Sequence, residues 1–245
     1  QEFDSPTGYK KAQNFSGPLI FLYMNLTSNS HLLSIRYIIS LLSATATGKT
    51  NNSPEDMFYN GLNNKKLELK FFRSPRPLGR TIILFPGASP MGENHPSMLF
   101  LSSILADIGF DIYIPRIPLL MKLNISEENI PWIDNAYRQI CNLQNDKNTK
   151  VSCMGVSYGG ALLLKASLSG YMKERKPHCF FTYGTIFDIQ TSLDFLMTGK
   201  LYIKNREVQI KPHEWGLVVG FYNFLPVIDT GYNTDDIMKV LSIRV

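Results

Sequence analysis

The chain has 245 residues, 44% of them hydrophobic and 18% charged, a globular composition that fits one large domain or one domain with a smaller accessory piece. Its net charge of +5 could favour nucleic acid or an anionic membrane surface. The basic residues, however, stand in short groups beside turns (Lys65-Lys66, Arg73/Arg76/Arg80 and Lys173/Arg175/Lys176). They read as solvated faces, so no nucleic-acid partner is expected.

Three cysteines, Cys141, Cys153 and Cys179, lie in helical or strand-like runs. An odd number in such settings points to buried, reduced thiols rather than a disulfide framework. No Cys/His spacing resembles a metal site, so neither a metal nor another cofactor is expected. No basic segment precedes a short apolar one as in a signal peptide, and no run of 18 uninterrupted apolar residues exists to span a bilayer. The expected location is therefore cytoplasmic. Asn14, Asn25, Asn51 and Asn124 fit the glycosylation pattern, which chance explains in a chain this rich in Asn.

Residues 1–16 are polar, and Gly17 to Leu26 is a short apolar run. After Thr27-Ser-Asn-Ser30, the stretch from His31 to Ala46 carries Leu32, Ile35, Ile38, Ile39 and Leu42 at helical spacing. This predicts an amphipathic helix packed on the domain. The alternative is peripheral membrane contact through residues 17–46. Thr47 to Asn64, rich in Asn, Ser and Gly, reads as a linker, so residues 1–64 form an N-terminal extension.

From Lys65 the texture changes. Leu67 to Phe72 alternates like a strand, and Thr81-Ile-Ile-Leu-Phe85 is the continuous apolar run of a strand buried on both faces. His95-Pro-Ser97 starts a helix reaching about Ile108, Asp111 to Ile114 is a strand, and a Pro-rich loop runs to Leu123. Ser126 caps a helix to about Leu143. Lys150 to Met154 is a strand, Tyr158 to about Met172 a helix, and Cys179 to Tyr183 another strand. This alternation predicts a mostly parallel sheet with helices on both faces over residues 65–190. Beyond Asp188 the expected elements are a helix at 189–197, a small hairpin at 201–210, and helices at 214–224 and 233–241. They make residues 191–245 a helical cap.

The segment Gly155-Val-Ser157-Tyr-Gly159-Gly160 contains G-x-S-x-G, with a strand leading in and a good helix former leading out. A nucleophile placed there must make a very sharp turn, which strains the backbone and crowds its neighbours. Gly155 and Gly159 remove the Cβ atoms that would clash. Ser157 then projects above the carboxyl end of the sheet, with a helix N-terminus aimed at developing negative charge. A second segment, Thr81-Ile-Ile-Leu-Phe-Pro86-Gly87-Ala88-Ser89, is a strand followed by a Gly-containing loop.

With these two motifs the chain resembles the α/β-hydrolase family over about residues 65–190. The resemblance implies an α/β-hydrolase-type fold with a helical cap and an esterase- or lipase-like serine hydrolase that cleaves carboxylic esters through an acyl-enzyme. Ser157 is the implied nucleophile, and the backbone N–H groups of Ala88 and Tyr158 are the implied oxyanion hole. Pro86 stands where the family often has His, a departure without consequence for a backbone donor. The implied substrate is a small-molecule or lipid ester.

A serine hydroxyl needs a base, and an acid to orient the base. In this family both follow the nucleophile in the chain. His213, in Lys211-Pro-His-Glu-Trp215, is the one His at useful distance after Ser157, and Asp188 is the corresponding candidate acid, with helix capping as the plainer reading. His178 precedes a strand and belongs at the wrong end of the sheet, while His31 and His95 precede the nucleophile, His95 as a helix-start residue. The chain opens at Gln1 and closes on Ile243-Arg-Val245. These ends suggest a processed form or a fragment, with the acid and His lying beyond Val245. The alternative is a hydrolase-fold binding protein without catalysis.

Overall fold

The computed structural model describes residues 18–144, 149–186, 188–204, 206–212, 214–227, 231 and 233–244, with the main chain alone at 18–29, 189 and 242–244. Six strands make one sheet: β1 (Glu55–Asn60), β2 (Lys66–Phe72), β3 (Arg80–Phe85), β4 (Phe110–Pro115), β5 (Lys150–Val156) and β6 (Phe180–Tyr183). Their order is β1-β2-β4-β3-β5-β6. The pairs β3–β4, β3–β5 and β5–β6 are parallel, whereas β1–β2 and β2–β4 are antiparallel. The sheet is thus mostly parallel, as expected of strands joined by helical crossovers.

Side chains alternate across a strand, so each strand feeds two cores. Ile83, Phe85, Tyr113, Phe71, Val151 and Cys153 join one cluster, with Ile133, Tyr137, Leu162 and Leu163 from the helices that cover that face. Leu84, Ile112, Ile114 and Phe72 join the other, with Met98 and Ala106 from the opposite face. The covering helices are α4 (Ile130–Leu143) and α5 (Tyr158–Ala166) on the first face and α2 (Pro96–Asp107) on the second. Helices therefore flank both faces, and β3 reads as an unbroken apolar run because neither of its faces meets water.

Four local readings are corrected. The segment read as a linker holds β1, an edge strand whose Tyr59 is buried and donates its hydroxyl hydrogen to the Arg116 carbonyl. Its Asn, Ser and Gly flanks obscure a strand that needs only one buried side chain. The helix expected over 158–172 divides into α5 and α6 (Gly170–Glu174). Gly170 lies at φ +62°, and the Asp134 carboxylate accepts from the N–H groups of Tyr171 (3.0 Å) and Met172 (2.7 Å), giving the second piece its own start. The Pro-rich loop contains the short helix α3 (Pro118–Met121). Cys141 and Cys153 are buried as expected, but Cys179 is exposed, because it precedes β6 at the sheet's edge.

The first helix, α1 (Pro18–Thr47), is longer than expected, passing through Thr27–Ser30 without a break. It packs on α2, where Ala44 is buried and the Ser40 hydroxyl donates to Asp107 at 2.8 Å. The anticipated stripe is left largely open to solvent: Leu32, Ile35, Ile38, Ile39 and Leu42 are all exposed, with Ile38 at the edge of the packed side beside Ile108 and Phe110. The helix is apolar on both sides, so periodicity alone could not say which side packs. Among the described residues no helix is long and apolar enough to cross a membrane.

After β6 come α7 (Ile189–Thr198), a hairpin of β7 (Lys200–Ile203) and β8 (Arg206–Gln209), α8 (Glu214–Phe224) and α9 (Asp235–Arg244). This is the predominantly helical segment expected after the sheet. Val219 of α8 is buried in the first cluster, with Trp215 and Tyr222 packed against it, so α8 docks on the sheet domain.

Candidate active site

Ser157 occupies the turn between β5 and α5, at the carboxyl end of the parallel strands. Its backbone sits at φ +52°, ψ −130°, a combination that an L-residue adopts only under strain. Two hydrogen bonds hold it there. The Ser157 N–H donates to the Tyr183 carbonyl at the end of β6 (2.8 Å), and the Ser157 carbonyl accepts from the Gly160 N–H (3.0 Å). The residue is exposed, and its hydroxyl makes no hydrogen bond among the described residues. A serine oxygen is thereby presented to solvent above the first turn of a helix.

The glycines around it serve close approach rather than unusual dihedrals. A Cβ on Gly155 would lie 2.5 Å from the Gly160 Cα. One on Gly159 would collide with the Pro86 carbonyl, and one on Gly160 with the Thr185 hydroxyl. Strand, turn and helix start are thus in backbone contact, and the loop after β3 lies directly against the turn. Gly160, to which the sequence alone assigns no purpose, is as tightly packed as the other two. That purpose depends on Thr185, beyond β6, and has no local signature.

The loop after β3 brings Pro86, Gly87 and Ala88 to the same place. A Cβ on Gly87 would stand 3.0 Å from the Ser157 Cβ and 3.6 Å from its Oγ. Ala88 is buried, and its carbonyl accepts from the Trp215 indole N–H of α8 at 3.1 Å. The next residue, Ser89, donates its N–H to the Leu120 carbonyl of α3 at 3.2 Å. Tyr158, first residue of α5, is half-buried, and burial raises its phenol pKa.

Farther along the same loop, Glu93 is fully buried and accepts at Oε1 from Arg116, at the end of β4, through Nε (2.8 Å) and Nη2 (2.6 Å). Arg116 also reaches Glu68 at 2.6 Å. The second Glu93 oxygen has no partner among the described residues. The hydrogen bond that Arg116 donates to Glu93 leads the influences that push the Arg116 pKa up. This pair fixes the distal part of the loop to β2 and β4. Nothing in the sequence singles it out, because partners 23 residues apart share no periodic pattern.

Asp188 caps α7, its carboxylate accepting from the Thr191 N–H at 2.8 Å, and that bond holds its pKa below the usual range. This is the plainer of its two readings. His95 caps α2 through Nδ1, which accepts from the Ser97 N–H at 3.3 Å. The His178 N–H donates to the Val151 carbonyl (2.7 Å), which places it by the amino end of β5, away from Ser157. His31 is exposed on α1. His213 lies outside the described residues.

No protein-family model matches the sequence, and no curated protein matches it. Among solved structures, a dienelactone hydrolase from Anabaena variabilis aligns at 13% identity and a TM-score of 0.45, over 54% of this chain and 64% of that one. An esterase from Pyrococcus furiosus aligns at 14% identity and a TM-score of 0.43, over 55% and 51%. An acylaminoacyl peptidase from Pyrococcus horikoshii aligns at 18% identity and a TM-score of 0.39, over 51% and 22%. The aligned part of this chain thus spans less than two thirds of each of these proteins.

Proposed function

We propose that the protein is a serine hydrolase that cleaves carboxylic esters, with Ser157 as the nucleophile. The strained, exposed Ser157 at the strand-to-helix turn carries the reading, since a non-Gly residue is kept at such dihedrals where its position matters more than its cost. In the proposed reaction the Ser157 Oγ attacks the ester carbonyl carbon and its proton passes to a base. The alcohol then leaves and an acyl-enzyme forms, which water cleaves to the acid and free Ser157. The N–H groups of Ala88 and Tyr158 are the proposed donors to the tetrahedral oxyanion. Neither donates to another group among the described residues, and both border Ser157 or the loop packed against it. Each such donor contributes about 100- to 1,000-fold in kcat.

Hydrolysis of p-nitrophenyl acetate and longer p-nitrophenyl esters tests the proposal. The wild-type chain should turn over at least one of them, and Ser157→Ala should lose at least about 1,000-fold in kcat/KM. Equal rates for the two would refute the assignment.

A second reading concerns location. The exposed row of Leu32, Ile35, Ile38, Ile39 and Leu42 on α1 is an apolar strip of the kind that lies in a membrane interface. On this reading α1 rests on the bilayer and the ester substrate is a lipid. Sedimentation with phosphatidylglycerol-containing vesicles should carry the protein down, and Ile35→Glu/Ile39→Glu should keep it in the supernatant. Wild-type protein that stays in the supernatant at low salt would overturn the reading.

A further inference from the structure

Two loops meet at the carboxyl edge of the sheet, and one helix holds both. From α8, the Trp215 indole N–H donates to the Ala88 carbonyl at 3.1 Å, across 127 residues of chain. Farther along the same helix, the Asn223 amide donates to the Leu123 carbonyl (2.7 Å) and accepts from the Ile125 N–H (3.4 Å). Between them Val219 is buried in the core beneath. The span from Trp215 to Asn223 is eight residues, or about 12 Å of helix, so α8 bridges the loop after β3 and the segment after α3 like a strap.

Ala88 is where this matters. A residue's N–H and C=O flank the same Cα, so anchoring the carbonyl limits how the N–H can swing. The chain entering Ala88 is held as well, because the Pro86 carbonyl is wedged against Gly159. The Ala88 N–H is therefore held from one side by the Ser157 turn and from the other by α8. We infer that Trp215 is a positioning residue that sets the Ala88 N–H for the oxyanion, so that docking of α8 completes the hole. The inference rests on the Ser157 reading given above. It adds that an element outside the sheet governs one of the donors.

The test is Trp215→Phe, which keeps an aromatic ring for packing and removes the indole N–H. With p-nitrophenyl acetate, kcat should fall about tenfold, short of the loss of a whole donor because Ala88 is displaced rather than deleted. KM should stay within about twofold, because ground-state binding does not use the oxyanion donors. Trp215→Ala should fall at least as far. An unchanged kcat in the Phe variant, or kcat and KM moving together, would overturn the inference.

A second readout does not depend on turnover. Trp132 and Trp215 are the two tryptophans, so the Trp132→Phe variant leaves a single indole 15N–1H resonance. That signal should show solvent exchange slowed at least tenfold against a free indole, and an Asn223→Ala change that loosens the strap should speed it. An indole that exchanges at the free rate would refute the anchoring even if Ser157 proved inactive. A protected indole in an inactive protein would uphold the anchoring and sink the Ser157 reading instead.

Discussion

Strain at Ser157 makes a prediction about stability that needs no substrate. Its φ of +52° with ψ −130° belongs to backbone space that glycine enters freely and other residues enter at a cost of about 1–3 kcal/mol. The hydroxyl makes no hydrogen bond among the described residues, so Ser157→Ala removes none there and keeps the strain. Ser157→Gly relieves it, set against about 0.5–1 kcal/mol for the extra freedom of glycine in the unfolded chain. The glycine variant should therefore be more stable than the alanine variant by about 1 kcal/mol. For a domain of this size that is a rise of about 2–4 °C in the melting temperature. Differential scanning calorimetry of the two variants, side by side, measures it, and both should lack hydrolase activity. A glycine variant that melts at or below the alanine variant would refute the claim that the turn stores strain.

Three further outcomes follow from the same geometry. Gly159→Ala forces a Cβ into the Pro86 carbonyl, a backbone group that cannot step aside cheaply. It should cost about 3 kcal/mol or prevent folding, whereas Gly220→Ala, in open space on α8, should be neutral or stabilising by up to about 1 kcal/mol, both read from thermal melts. A native-state thiol titration with Ellman's reagent should modify Cys179 alone, since Cys141 and Cys153 are buried and burial raises both of their pKa values. Rapid reaction of all three thiols would contradict the burial of Cys141 on α4 and Cys153 on β5. At Asp188 the folded pKa is lowered, so its contribution is present above the unfolded carboxylate pKa and is lost as pH falls through the lower, folded value. The melting-temperature difference between wild type and Asp188→Asn should accordingly shrink on acidification from about pH 6 to about pH 3; a difference independent of pH would argue against the capping bond.

How much of this is legible in the residues depends on how local the cause is. The buried strands β3 and β5 announce themselves because a strand covered on both faces leaves few polar gaps. The turn at Ser157 announces itself because short-range backbone contacts demand glycine at fixed spacing. β1 is hidden because an edge strand with a single buried residue, Tyr59, looks like a polar connector. On α1 the period is right but the stripe is left largely open to solvent, since both sides of the helix are apolar. The contacts that tie the loop after β3 in place, Arg116 to Glu93 and Trp215 to Ala88, join residues 23 and 127 positions apart. Their partners are chosen by the fold, and neither residue carries a mark of it in its own neighbourhood.

The central claim, that Ser157 is the nucleophile, is tested most directly by finding where an activated phosphorus reagent attaches. The protein is incubated with a fluorophosphonate, digested and mapped by mass spectrometry. A single phosphonyl adduct on the Ser157 hydroxyl, absent from Ser157→Ala and from heat-denatured protein, is the predicted result. No adduct on native protein, or an adduct on another residue with Ser157 unmodified, would contradict it.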